Sequence, residues 1–470
     1  MELLGQQYCD VGIPIKFERP MEGDLLIKNA SLVLPNQIVE GDLRVTSGSI
    51  STIATGGGLE PNIRESVIDA TGLHLLPGII DPHVHFREPG NIQNEDLESG
   101  SRAAAAGGVT SFLDMPNNRP NTTNRSTIEK KISLASKKSV THHGFFIGAT
   151  RDNISDLQSV EGMDGVCGIK IFMGSSTGDL LVHKDEHLEN IFANTGGVIA
   201  THAEDEGRLQ QRNAEFKHRT DIASHAECRD VECAFLATKR AVSLAKEHEH
   251  RLHIVHLTSG KEAGWLKKTK ADLITTEVCT QHLTFDQDDV ERLGERVLMN
   301  PPIRYTEDRD ALWRGLKDGT IDCVVTDHAP HSLEAKSAGF PNAPAGMPGV
   351  ETSLPLMLTH AMNGKCSVND VVRWMCEGPA KVYGIQNKGA LIEGHDGDLA
   401  LVDLENRQKI TDTDTWTRVG WTPYTGMELT GWPMYTIVDG ELVHKREAGG
   451  SLRGIAIAKP GSTGRALKFN

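Results

Sequence analysis

The sequence predicts an α/β protein, a (β/α)8 TIM-like barrel with a small β-sandwich domain assembled from both termini. Eight short apolar or β-branched runs, ending near His85, Asn117, Ala149, Met173, His202, His256, Cys279 and Asp327, alternate with helical stretches through the middle of the chain. Alternating apolar and polar residues, punctuated by Asn, Pro and Gly, fill Asp24 to Ala54, continue through Ser66 to Ala70, and after Pro77 return only at Gly397–Leu404 and Tyr435–His444. The polar residues that close the apolar runs fall where a barrel of this kind places the C-terminal ends of its strands. The expected boundaries are residues 1–76 for the first part of the β-sandwich domain, 77–386 for the barrel, and 387–470 for its second part. That last part includes a Gly- and Ser-rich tail from Gly449, expected to be loosely held.

Bulk properties narrow the partners. A chain of 470 residues with a formal net charge of −15 favours a small-molecule substrate over a nucleic acid or an anionic membrane. No apolar run reaches the roughly 18 residues that span a bilayer. The N-terminus lacks the basic-then-apolar layout of a secretory signal, so a cytoplasmic location is expected. The eight cysteines contain no CxxC pair, which argues against a zinc knuckle and a disulfide framework. A homodimer is compatible with the sequence.

Taken in order, the first barrel strand (Leu75 to Ile80) delivers Asp81-Pro82-His83-Val84-His85-Phe86-Arg87. Side chains two apart in a strand share a face, so His83 and His85 can grip one ion, the alternative being two hydrogen-bonded structural histidines. Helices are expected over Asp96–Ala106, Thr127–Lys137, Glu227–Lys246, Lys261–Lys268, Glu307–Lys317, Glu351–Met362 and Val368–Met375. Among the intervening strands, the fourth carries Lys170 inside Val166-Cys-Gly-Ile-Lys170-Ile-Phe-Met173, the fifth ends on His202, the sixth on His256 and the eighth on Asp327. Four histidines, an aspartate and a lysine at the ends of five strands make a metal-ligand set. Burial would lower the pKa of Lys170 and leave a nucleophilic amine, able to form a Schiff base or to add CO2 as a carbamate. Beside four histidines the carbamate fits better, because two divalent ions in one site repel and need bridging anions. A lysine snorkelling to the barrel rim is the plain alternative.

Several segments together resemble the motifs of dihydroorotases in the amidohydrolase superfamily: DPHVHFREPG at 81–90, MPN at 115–117, GIKIFMGSSTG at 168–178, THAED at 201–205, VHLTSG at 255–260, MNPPIR at 299–304, TDHAPHSLEAK at 326–336 and GPAKVYGI at 378–385. The resemblance implies two Zn2+ ions per chain, one held by His83, His85 and Asp327, the other by His202 and His256, with carboxylated Lys170 bridging them. It implies a bridging hydroxide aimed at a ring carbonyl and Asp327 as general acid and base. It implies reversible conversion of (S)-dihydroorotate to N-carbamoyl-L-aspartate, a step of pyrimidine biosynthesis. Arg87 would clamp the substrate carboxylate, helped by Asn117, Asn300 and His331, with the backbone of Ala345 and Gly346 against the ring. Relatives that open neutral rings do not use an Arg there; the plain alternative for Arg87 is a rim salt bridge to Glu88. The lysine-containing GIKIFMGSSTG stretch is closer to the pattern shared with hydantoinases, so an allantoinase or dihydropyrimidinase is the second reading. A barrel without catalysis, serving as a scaffold, is the third. Ser332 to Gly349, rich in Gly, Pro and Ala, is a candidate lid.

Overall fold

The computed structural model describes residues 24–176 and 180–470; Thr177 and Gly178 of the GIKIFMGSSTG stretch lie outside the described residues. Eight consecutive strands form a parallel sheet: β6 (Ile79–Val84), β7 (Val109–Asp114), β8 (His142–Gly148), β9 (Val166–Phe172), β10 (Val198–His202), β11 (Arg251–Ile254), β12 (Ile274–Cys279) and β13 (Cys323–Val325). These are the eight runs read from the sequence. They are almost wholly buried, as parallel strands covered by helices must be. Each pairs with its neighbour in chain order, for example Lys170 with Ala200 and Val278 with Val324. The sheet closes on itself where Val84 bridges His328 in parallel and the His85 amide donates to the His328 carbonyl at 2.7 Å.

Helices pack outside the barrel, and Phe86, Phe112 and Phe145 are fully buried in the core between. Each contributes roughly 2 kcal/mol by leaving water. Helix Leu97–Ala106 starts at Asp96, whose side chain accepts from the Ser99 amide. The single helix expected over Glu227–Lys246 is instead two, Ser224–Cys228 and Val231–Glu247. Asp230 breaks it by adopting an extended backbone and capping the Cys233 amide, which frees Arg229 to turn toward the barrel. Likewise, the stretch expected as helix Val368–Met375 is α-helical only to Val372 and then widens into a π-turn over Arg373–Glu377.

The other sheet has nine strands and draws on both termini. β1 (Leu25–Leu34), β2 (Gln37–Thr46), β3 (Ser49–Thr55), β4 (Ser66–Asp69) and β5 (His74–Pro77) precede the barrel. β14 (Leu399–Lys409), β15 (Glu428–Val438), β16 (Glu441–Lys445) and β17 (Ile455–Ala456) follow it. β5 joins the two groups, pairing with β1 on one side and β14 on the other. Their inward residues, among them Leu25, Leu43, Leu75, Leu399 and Ile437, form one apolar cluster. Pairing is antiparallel except where β1 meets β4 and β5.

The C-terminal tail is not loosely held. The His143 amide donates to the Arg465 carbonyl (3.0 Å), the Leu467 amide to His143 (2.9 Å) and the Gly165 amide to Leu467 (2.8 Å), with Leu467 fully buried. Composition suggested a loose end because the partners of these backbone groups lie at the start of β8 and just before β9, far away in sequence. No helix among the described residues is long and apolar enough to cross a membrane.

Candidate active site

At the C-terminal ends of the barrel strands lies a narrow cavity of about 30 Å3. Its wall includes His83, His85, Arg87, Asn117, Lys170, His202, His256, Asn300, Asp327, Ala345 and Gly346, so eleven of the twelve candidate residues meet there. His331 does not line it and reaches it through Arg87, whose Nη2 lies 3.3 Å from His331 Nε2.

Hydrogen bonds around the histidines fix which nitrogens face inward. Glu277 Oε1 stands 2.5 Å from His83 Nδ1, and Asn117 Oδ1 stands 2.7 Å from His85 Nδ1. Both oxygens are acceptors, so each Nδ1 carries the proton and each Nε2 presents a lone pair. Those two Nε2 atoms lie 3.4 and 3.0 Å from the same oxygen, Asp327 Oδ1. Three electron-rich atoms converging in this way describe a cation site, and all lie within 4.8 Å of one another. Glu204 Oε2 sits 2.9 Å from His202 Nε2, which leaves Nδ1 of His202 as an acceptor 2.9 Å from His256 Nε2. Two further ring nitrogens therefore meet beside the first three ligand atoms.

Lys170 lies between these groups and is 1% exposed, so it does not snorkel. Its Nζ has no hydrogen-bond partner among the described residues. Burial lowers its pKa to about 8. An orphaned, partly neutral amine among converging histidine nitrogens and a carboxylate fits a carbamate shared by two ions.

His256 and Asp327 have φ of 40° and 47°, a left-handed backbone rare outside Gly and Asn. Such strain concentrates where a side chain must be aimed. Burial would raise the pKa of Asp327, but its neighbours in the cluster, with Lys170 among them, outweigh it and hold the carboxylate below its ordinary value.

Several supporting residues were not read from the sequence. Glu277, fully buried on β12, takes His83 with one oxygen and His253 Nε2 with the other at 2.9 Å. Burial opposes its ionisation, yet His83 and His253 hold it below the usual carboxylate range. The visible signal was an acidic residue in the apolar and β-branched run LITTEVC. Glu204 is gripped by Arg229, whose Nη2 also donates to the Ser175 carbonyl at 2.7 Å. Asp81 accepts from Thr326 Oγ1 at 2.5 Å and so ties β6 to the loop that presents Asp327.

The other end of the cavity is cationic. Arg87 is 6% exposed, and burial lowers its pKa to about 10. Glu88 is not its partner: that carboxylate takes Lys138 Nζ and the Leu97 amide. Arg87 Nε has no partner among the described residues. His331, pushed down to about 3 by burial and by Arg87, is neutral and can accept from the guanidinium. Asn300 Oδ1 meets His225 Nε2 at 3.0 Å.

A closed (β/α)8 barrel whose strand ends gather histidines, an aspartate and a buried lysine has the form of a metal-assisted hydrolase. The chain belongs to the amidohydrolase family, whose family model matches residues 74–443. It is a hydrolase of the cyclic-amide type. A dihydroorotase from Methanosarcina acetivorans is 35% identical over 432 residues, 89% of this chain and 92% of its own. An allantoinase from Streptomyces avermitilis is 32% identical over 427 residues, 89% of this chain and 95% of its own. Among solved structures, the L-hydantoinase (dihydropyrimidinase) from Arthrobacter aurescens superposes with a TM-score of 0.88 at 29% identity, covering 95% of this chain and all of the other.

Proposed function

We infer that this protein is a dihydroorotase, interconverting (S)-dihydroorotate and N-carbamoyl-L-aspartate in pyrimidine biosynthesis. The observation that carries the reading is Arg87: a buried guanidinium with an unpartnered Nε, in the same cavity as the histidine cluster. A buried cation lacking a carboxylate partner calls for an anionic ligand, and dihydroorotate brings a carboxylate where a neutral ring brings none. Relatives named dihydroorotase support the same choice.

His83, His85 and Asp327 would hold one zinc ion, His202 and His256 a second, and the carbamate of Lys170 would join them. When bound, such a pair polarises a carbonyl and makes water nucleophilic near neutral pH. Asp327, held ionised beside the histidine cluster and Lys170, accepts a proton on its carboxylate and returns it to the departing ring nitrogen. Arg87 with His331 orients the ring through its carboxylate, while Asn300 and the backbone of Ala345 and Gly346 meet the ring edge.

A second reading, an allantoinase or a hydantoinase, is favoured by the Streptomyces relative and the Arthrobacter fold. The test is turnover of zinc-loaded protein on dihydroorotate and carbamoyl-aspartate, with allantoin and dihydrouracil alongside. Preference for dihydroorotate is expected. Activity confined to a neutral ring would replace this reading with the second.

A further inference from the structure

The motif TDHAPHSLEAK ends on Lys336, a residue to which neither the metal cluster nor the Arg87 clamp gives a task. It is 2% exposed. Its Nζ donates to three backbone carbonyls, those of Leu298 (3.0 Å), Pro344 (2.9 Å) and Gly346 (2.8 Å). Three acceptors around one nitrogen match the three protons of an ammonium. Burial pulls the amine down to about 7, while three carbonyl dipoles aimed at the nitrogen favour its charged form.

These carbonyls belong to two separate segments of the cavity wall. Leu298 precedes Met299 and Asn300, and Pro344 precedes Ala345 and Gly346; all four following residues line the cavity. The Gly346 amide also donates to the Leu298 carbonyl at 2.8 Å, so the two segments are knitted together at that point. On its other side the wall is pressed against Ala329, a further lining residue. Gly346 has φ +128°, and a Cβ there would come within 2.5 Å of the Ala329 carbonyl oxygen. The segment expected to be a lid, Ser332 to Gly349, is therefore pinned from inside by its own lysine.

We propose that Lys336 is a positioning residue for the substrate ring: its tripod of hydrogen bonds sets the spacing between the 298–300 and 344–346 segments that face the ring edge. This rests on the cyclic-amide reading of the site but not on which ring is used. The lysine touches neither the histidine cluster nor Arg87, so its loss acts on ring binding and leaves metal loading alone. A flat amide ring offers alternating donors and acceptors along its edge, and backbone groups match them only while held at a fixed separation.

The test is Lys336→Met in the full-length, zinc-loaded protein, assayed on whichever ring the wild type opens fastest. The expected result is a KM raised at least about tenfold, with kcat within about threefold and the bound metal, counted by elemental analysis, unchanged. Where Lys336→Met does not fold, Lys336→Arg serves: it keeps the charge, but a planar fork cannot serve three carbonyls converging on one atom, so KM again rises with metal unchanged. An unchanged KM in the folded variant would overturn the proposal. So would a parallel fall in kcat and metal content, or failure of both variants to fold, since the lysine would then be a general staple of the core. Failure of the dihydroorotase reading is seen separately, in the ring preference of the wild type.

Discussion

His83 Nδ1 and Glu277 Oε1 stand 2.5 Å apart although 194 residues separate them in sequence. Glu277 thereby sets the tautomer of a histidine whose other nitrogen faces Asp327, and it is itself braced by His253. Carboxylates behind a ligating histidine typically contribute 10–100-fold to metal affinity. Glu277→Gln should weaken metal binding by about that factor, read by competition with a chromophoric chelator. Wild-type affinity would show that His83 is oriented by something else.

Asp327 has two assignments that a neutral amide cannot fill: an anionic ligand that shares a cation with His83 and His85, and the carrier of the proton transfers. Asp327→Asn should lower kcat by at least about three orders of magnitude, the combined effect of losing an acid/base group and a ligand. Near-normal turnover would remove Asp327 from the mechanism.

Arg87→Met removes one partner of a buried charge pair, so kcat/KM for dihydroorotate should fall by about 2–4 kcal/mol in transition-state terms. Activity on a neutral ring, where measurable, should change far less. Equal losses on both rings would show that Arg87 supports the fold of the site and does not read the carboxylate.

Stripping the protein with a strong chelator should abolish turnover and lower Tm, since any ligand that binds only the folded state stabilises it, by about 2.7 kcal/mol at a hundredfold excess over Kd. Reconstitution should take up two zinc ions per chain and should require dissolved CO2 or bicarbonate, the source of a carbamate on Lys170. Uptake of a single ion, or indifference to bicarbonate, would argue against a bridging role for that lysine.

His143 is fully buried against Phe112 and Phe145, and neither ring nitrogen has a partner among the described residues. Burial lowers its pKa to about 3, against about 6.5 when unfolded. Between those values the unfolded chain binds a proton that the folded chain refuses. Stability therefore falls as pH drops below about 6.5, by up to about 1.4 kcal/mol per pH unit for this one group, and the loss stops growing near pH 3. His143→Phe should flatten the acid limb of a stability-against-pH curve recorded by denaturant unfolding. An unchanged slope would mean that His143 is protonated in the folded state.

Local pattern made much of the fold legible. The runs ending on His202 and His256 are short, apolar and flanked by helical stretches, and they became β10 and β11. The helix expected over Glu227–Lys246 failed at Arg229 and Asp230 because a capping carboxylate outweighed continuous helical periodicity. The tail from Gly449 was misjudged because glycine-rich composition describes chain freedom and says nothing of backbone partners waiting at His143 and Gly165.

The amino-acid order by itself determined the barrel, the residue types at its strand ends and the buried lysine among them, because these follow from period-two alternation, apolar runs and the chemistry of single side chains. Only the tertiary structure decided which nitrogens face the cavity, that Arg87 turns from Glu88, and that Glu277, Glu204 and Lys336 hold the site from behind. Those relationships depend on distances of a few ångströms between residues tens to hundreds of positions apart. Such distances are set by strand register and barrel closure, which no local stretch of sequence carries.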